Sequence, residues 1–536
     1  MFAPRFGFAF NPSWDQKTVF NGSIGIVYDR TIINAVQQIQ DADSYLFQQS
    51  LPTSLGIPGD PYNSIRTGPR LDSNNSISNV PITPPATPKP PYQPFVTNGV
   101  PYGLQIGSAF NATIDPHLKT PYSIAFNGGM QHAFAGDMVM KLSYAGRLGR
   151  RLLAQTDANQ VLEFPDPVSG QLLSQAMGNV TQQLRAGATS ATVTPQPWFE
   201  NVIGTSGCAT ACQNYTSYLV ANFGSFVERG DFGDTVQFLA DNGAPLNVGS
   251  AAQFSENTFY GNKGFSSYNA LLLSVAKNFS HGLNFDFNYT FAHSIDNVSF
   301  FANSSGDTGI GGIGLICDAI RPRLCRANSD FDLNQIITAD AVYQLPFGRG
   351  KMLLSSPSTL VNEIVGGWSF SGVTSWHTGQ AWGNNSDAFV ASYSNNAPGI
   401  LVGQKTAVAQ KLQKPAGGGV NIFANQALAA ASYVGPIGFD IGSRNSLRGP
   451  NFFNTDLGLG KAFPIVGDRV KANFRADAFN ALNHPSFALP ASNVYNGLDE
   501  QDITSSQFGN ISYTVSPPGN LNNGARVLQV SLRVDF

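Results

Sequence analysis

The densest grouping of reactive side chains is Asp330 and Asp332, which follow Arg321, Arg323 and Arg326. Paired carboxylates can do general acid–base work or hold calcium. Neither hydrolase nor calcium-loop spacing follows here, so the group reads as charge at the entry to a strand. Gly348-Arg349-Gly350-Lys351 has a lysine after glycines, but the four-residue spacer and the following Ser or Thr of a phosphate loop are missing. Gly311, Gly312 and Gly314 lack the preceding strand and following helix of a dinucleotide site. The six histidines are scattered, His484 standing before Pro485, and no nucleophile–base pair emerges from spacing. The expectation is no catalysis, no cofactor and no metal. Four cysteines form two close pairs, Cys208 with Cys212 and Cys317 with Cys325. Both pairs fall in predicted loops and read as local disulfides formed in an oxidising compartment. Zinc would need four convergent ligands, and the spacing is not that of a zinc site.

Chemistry gives little, so the elements carry the reading. In residues 525–536, Leu528, Val530, Leu532, Val534 and Phe536 form an apolar row, and Gln529, Ser531, Arg533 and Asp535 a polar one. A strand turns successive side chains to opposite faces, which gives one apolar and one charged face. The same period recurs along the chain. Phe6, Phe8 and Phe10 alternate with Arg5, Gly7 and Ala9, and Phe20, Ile24, Ile26 and Tyr28 with Asn21, Ser23 and Gly25. Tyr122, Ile124 and Phe126 follow, then Met138 to Tyr144, then Leu271, Leu273 and Val275 set against Asn269 and Ser274. Phe285, Phe287, Tyr289 and Phe291 oppose Asn284, Asp286, Asn288 and Thr290. Further rows run through Ile337 to Leu345, Trp368 to Trp376, Leu457 to Leu459 and Val470 to Ala478. The pattern predicts ten to twelve strands, including doubtful ones near 102–110 and 508–515. Several reach the length of about 9–11 residues that a tilted strand needs to cross a bilayer.

Composition agrees. Charged residues make up 12% of the 536, about half the roughly 25% of ordinary globular domains, while 39 Phe, 17 Tyr and 55 Gly suit strands with uncharged polar loops. Mean hydropathy is −0.09 and no run of about 18 apolar residues forms a membrane helix, which says nothing against membrane strands. A net charge of −3 offers no basic stripe for nucleic acid. The amino-terminus shows no signal-peptide pattern, so the reading expects a chain that lacks its natural start.

Connections orient the strands. Those at 11–18, 131–135, 280–281, 346–364 and 463–467 are short. Those at 30–119, 147–265, 293–333, 378–452 and 482–523 are long. Outer-membrane barrels have short periplasmic turns and long extracellular loops, which places the carboxy-terminus on the periplasmic side. Lys277 and Lys461 fall in the apolar rows near the short-connection ends, where they could snorkel to the interface, and Arg526 breaks the last row at its other end. Tyr28, Tyr144, Tyr289, Trp368 and Trp376 are girdle candidates. The loops read as polar and poor in charge. Residues 81–94 favour polyproline geometry, and 405–415 and 424–432 read as short helices. The fold class is therefore all-β: an antiparallel transmembrane outer-membrane β-barrel, partial, with long extracellular loops.

Several segments, in order and from end to end, are similar to the carboxy-terminal barrel of Oar-like TonB-dependent transporters. They are Pro4 to Phe10 with Gly22 to Arg30, Leu142 to Leu152, Asn288 to Asp296, Leu345-Pro346-Phe347-Gly348-Arg349-Gly350-Lys351, Gly366 to Gln380, Ser443 to Asn454, Phe474 to Pro485 and the last strand. The resemblance implies an outer-membrane transporter or receptor for an unidentified surface ligand. Its partners would be outer-membrane lipid and, through TonB, an inner-membrane energising complex. About 22 strands around a plug are usual for such transporters. About half that number are predicted here. Residues 1–536 are thus expected to be the carboxy-terminal part of such a barrel, broken within an extracellular loop, with plug, TonB box, regulatory-like domain and signal peptide absent. Asp286, Lys471, Arg475 and Arg533 would line the lumen. Two other readings stay open: a structural or adhesive surface barrel without transport, and a soluble all-β binding domain or carbohydrate-active enzyme.

Overall fold

Alternating apolar and polar side chains should pair strands so that like rows meet, and they do. In a computed structural model of the protein, the described residues are 2–28, 110–157, 160–205, 208, 212–241, 256–299, 314–390, 396–414, 419–466, 469–493, 498–515 and 524–536. Four two-residue strand pieces at 70–71, 77–78, 96–97 and 100–101 are also described. The main strands are β1 (Arg5–Phe10), β2 (Thr18–Tyr28), β3 (Tyr122–Phe134), β4 (Met138–Asp157), β5 (Glu256–Ser280) and β6 (Leu283–Asp296). They continue as β7 (Gln335–Gln344), β8 (Trp368–His377), β9 (Phe452–Val466), β10 (Val470–Phe479) and β11 (Val527–Asp535). Each pairs antiparallel with the next in chain order, forming a single continuous path. The short strands Phe110–Ile114 and Ala327–Asn328 pair beside β5 and β6.

The expected alternation of connections holds throughout. Residues 11–17, 135–137, 281–282, 345–367 and 467–469 join strands at one end, and 29–121, 158–255, 297–334, 378–451 and 480–526 at the other. His281 (φ 53°) and Gly282 (φ 80°) make a two-residue turn with both residues left-handed, the type I′ geometry that matches strand twist.

Register carries one polar row across the whole sheet. Arg5 pairs with Gly25 and Ala9 with Asn21. Asn21 and Ser23 lead through Gly129 and Asn127 to Ser143 and Ala145. Ser143 meets Leu272 and Lys141 meets Ser274. The row continues through Asn288 and Asp286 to Asp340, Val373 and Asp456. It ends with Asp477 and Arg475 opposite Gln529 and Ser531. The other face is apolar from Phe6 to Leu532. Asn269 departs from its expected side: it lies two positions before Leu271, shares the apolar face, and accepts the Tyr144 hydroxyl at 2.6 Å.

The buried core lies in the long connections. They contain helices α1 (Leu173–Arg185), α2 (Tyr215–Arg229) and α3 (Phe232–Asp241), where the sequence pattern predicts polar loop. Apolar residues at Leu173, Met177, Val180 and Leu184 recur at helical spacing and are buried. Gly230 (φ 88°) ends α2 in the left-handed conformation that glycine adopts without strain. Trp198, Phe199, Tyr215 and Phe232 are fully buried among these helices, and Val390, Ala397 and Phe439 join them from the 378–451 connection. A second cluster joins Trp382, Ile422, Phe423 and Tyr433 to Ile503, Phe508 and Ile511 from 480–526. Three long connections therefore fold into one cap. Short helix α4 (Thr359–Val365) lies in the connection between β7 and β8 at the opposite end, and α5 (Gln426–Ala431) lies in the cap. α5 matches the helix expected at 424–432. The helix expected at 405–415 is instead strand at Gln410–Gln413, because Gln410 pairs with Phe423 in a hairpin. Near 508–515 the strand is only Asn510–Ile511. The proline-rich 81–94, most of 102–110, and Gly311 and Gly312 lie outside the described residues.

Candidate functional site: the polar face and its cap

The polar face carries charges of both signs in ordered pairs. Asp286 stands directly opposite Asp340. Arg475 Nε donates to Asp477 at 2.8 Å, Arg533 Nε donates to Asp535 at 2.6 Å, and Asn473 reaches the other Asp535 oxygen at 2.6 Å. Lys471 stands opposite Asp535. Asp286, Lys471, Arg475 and Arg533, each nominated from sequence, thus share one face. It is a mixed-charge surface.

Above it, at the long-connection end, an ion network ties cap to sheet. Asp330 and Asp332 do not pair with the arginines beside them in sequence. Arg321 pairs with Asp318 at 2.9 Å, and Arg323 and Arg326 are exposed. Their partners are Arg444 and Arg448, more than a hundred residues further on. Arg444 joins Asp296, at the end of β6, to Asp330 at 2.8 Å. Arg448 reaches the Asp332 carboxylate at 2.5 Å and its carbonyl at 2.9 Å. Asp332 also accepts from the Ser294 amide at 2.6 Å, and Asn445 donates to Asp330 at 2.6 Å. The side chains of Asp296 and Asp332 are 5% and 1% exposed, so these charges are paired away from water, as buried charges must be. The network holds the 378–451 connection against the rim of the sheet. Sequence spacing could not show these pairs because the tertiary fold makes them.

A second charged seam lies within the cap, where the loops following α2, Ser386 and Leu498 meet. Asp231 is fully buried, pairs with Arg229 at 2.9 Å and accepts from the Phe389 amide at 3.3 Å. Arg229 also meets Asp387 at 3.3 Å. Burial, and then the neighbouring Asp231, pushes the Asp234 carboxyl up to about 7. Burial and then Asp502 push Asp499 up to about 6. Both shifts reflect the cost of ionising a buried carboxyl, increased by a second carboxylate beside it.

The girdle candidates divide. Tyr28 and Trp376 stand at the long-connection ends of their strands and Trp368 at a short-connection end, but Tyr144 and Tyr289 lie well inside β4 and β6. Lys277 Nζ donates to the Gly136 carbonyl at 2.6 Å, closing the adjacent turn. Lys461 turns toward the short-connection end of its strand. It is 6% exposed and is held under α4 by the carbonyls of Glu363 and Ile364. Both cysteine pairs are disulfides. Among the described residues, no three His, Cys, Asp or Glu converge to hold a metal. No described helix is long and apolar enough to cross a membrane, which says nothing of strands.

A family model described as outer membrane beta barrel domain matches residues 1–529. No curated protein matches the chain in sequence. Solved structures that resemble it include the outer membrane transporter YddB from Escherichia coli, 10% identical, covering 99% of this chain and 40% of that one, with a TM-score of 0.40. The siderophore receptor PirA from Acinetobacter baumannii is 9% identical, with coverages of 99% and 40% and a TM-score of 0.35. The chain thus spans about two fifths of these structures' length.

Proposed function

Because the chain belongs to the outer membrane beta barrel domain family, we propose that its strands form the carboxy-terminal part of the membrane wall of a TonB-dependent uptake system for an unidentified ligand. The observation that carries this is the register. It aligns every apolar row on one face and every charged pair on the other, and every long connection leaves at one end. In an outer-membrane barrel the apolar face meets lipid and the polar face lines the lumen. The cap then stands at the cell surface over the lumen, and the short connections and carboxy-terminus face the periplasm.

Among the described residues, β1 and β11 are the free edges of the sheet, which adds a constraint. β1 and β11 run in the same direction, since an odd number of antiparallel strands separates start from end. Unpaired backbone edges are untenable in lipid. Closing the sheet on itself would pair β1 and β11 in parallel, whereas bacterial outer-membrane barrels are antiparallel and even-numbered. Antiparallel closure takes an odd number of further strands. Eleven more give the 22 of plugged transporters. In this proposal those strands, a plug and the segment that engages TonB are supplied by polypeptide beyond 1–536.

The cap's own buried core favours one second reading, a rigid adhesive surface on a barrel without energised transport. Two measurements decide. On intact cells, a membrane-impermeant thiol reagent should label Asn222→Cys on α2 and spare Trp14→Cys in a short turn; the reverse pattern refutes the orientation. Cross-linking to TonB that disappears when the proton-motive force is collapsed supports uptake, and no cross-link under either condition supports adhesion.

A further inference from the structure

The connection between β7 and β8 is unlike the others at its end. It runs from 345 to 367, where two residues suffice at 281–282. It carries α4, none of whose side chains is buried. Leu360 is 79% exposed, Ile364 68% and Met352 80%, and Leu354 beside them is also exposed. Nothing among the described residues covers this surface. A soluble face this apolar is unfavourable in water.

Its attachment shows which environment it meets. Lys461, in the apolar row opposite Trp368 and Phe474, donates to the carbonyls of Glu363 and Ile364 at the end of α4. Trp368 Nε1 donates to the same Ile364 carbonyl at 2.8 Å. A cation at the carbonyl end of a helix is favoured by the helix dipole, and the Trp368 and Phe463 rings lie against the ammonium. The helix is thereby latched to the lipid-facing side of the sheet, continuous with its apolar surface. The same connection places exposed Arg349 and Lys351 beside Met352.

We propose that residues 345–367 form an interfacial membrane anchor: Leu360, Ile364, Met352 and Leu354 enter the acyl-chain boundary of the adjacent leaflet, and Arg349 and Lys351 bind the headgroups of anionic phospholipids. Apolar residues with flanking cations are what such interfacial elements use. The anchor fixes the depth of the barrel beside β7 and β8. It rests on the lipid-facing assignment of the apolar rows.

All four cysteines are in disulfides, so single added thiols can be labelled. The full-length protein, with the further strands that close the barrel, is inserted into phospholipid vesicles with an environment-sensitive fluorophore at Leu360→Cys, Glu363→Cys or Phe370→Cys. Phe370 lies in the apolar row within β8. Lipids carrying a nitroxide high on the acyl chain should quench the label at 360 several-fold more than that at 363, with aqueous iodide showing the opposite order. Quenching at 370 but not at 360 overturns the anchor and leaves the barrel reading intact. No quenching at 370 overturns both. In phosphatidylglycerol vesicles, the paired changes Arg349→Ala and Lys351→Ala should lower quenching at 360, with no change in phosphatidylcholine; an equal effect in both lipids refutes the headgroup contact.

Discussion

Arg444→Ala is the sharpest test of how the cap is held. Arg444 bridges Asp296 and Asp330, joining the end of β6 to two long connections. Removing one side of a fully buried pair costs about 3–5 kcal/mol, and an exposed pair at most about 1. The Arg444 side chain is 25% exposed and Asp296 5%, which places the bridge nearer the buried case. Each carboxylate keeps another donor: the Ser299 hydroxyl on Asp296 at 2.6 Å and Asn445 on Asp330 at 2.6 Å. These reduce the loss to about 2–3 kcal/mol. At about 1.36 kcal/mol per tenfold, the detached cap should become about 30- to 160-fold more populated. Amide hydrogen exchange reads that population directly in peptides spanning 380–390 and 443–450, with the strands as internal reference. Arg444→Lys should not restore protection, because a single ammonium cannot span both carboxylates as the guanidinium fork does. Arg475→Ala is the control. Its side chain is 63% exposed and pairs within its own strand, so its loss should cost less than about 1 kcal/mol. Equal effects of Arg444→Ala and Arg475→Ala, or full rescue by lysine, would refute the reasoning.

Facing can be tested in β11: Leu532→Lys should destabilise the inserted barrel by about 2–4 kcal/mol in a refolding titration, while Ser531→Lys, on the polar face, should cost far less. Trp198 is fully buried and its Nε1 donates to the Phe164 carbonyl at 3.1 Å, so Trp198→Ala should cost about 3–5 kcal/mol. Limited proteolysis should localise that loss to the cap and leave the strands resistant. The cap should also loosen as pH rises. Asp234 titrates near 7 in the folded cap against 3.8 ordinarily, so the folded state holds a proton that the unfolded chain has released. Its contribution is complete below about 4 and lost as pH climbs through about 7. Hydrogen exchange of α2 and α3, corrected for intrinsic rate, should rise across that window. Asp234→Asn should flatten the change, with Arg229, Asp231 and Asp387 left to face it. Protection that grows with pH would contradict the assignment.

Alternation along each strand, together with the alternating lengths of the connections, was legible in the sequence. Both are local quantities: a strand's two faces follow from its two-residue period, and a connection's length is simply counted. The rows Phe285 to Phe291 and Leu528 to Val534 fell as read. The cap was less legible. Leu173, Met177, Val180 and Leu184 do carry helical spacing, and Gly230 follows α2 as a helix stop, but polar surroundings masked both signals. Three properties were decided only by tertiary structure. Register brought the separate rows onto one face, which no single strand can specify. Asp330 and Asp332 found Arg444 and Arg448 in place of their sequence neighbours, because ion pairs form where folding brings charges together. The core moved into the loops because the apolar face of a sheet that meets lipid need not be buried by protein, so the long connections had to bury one another.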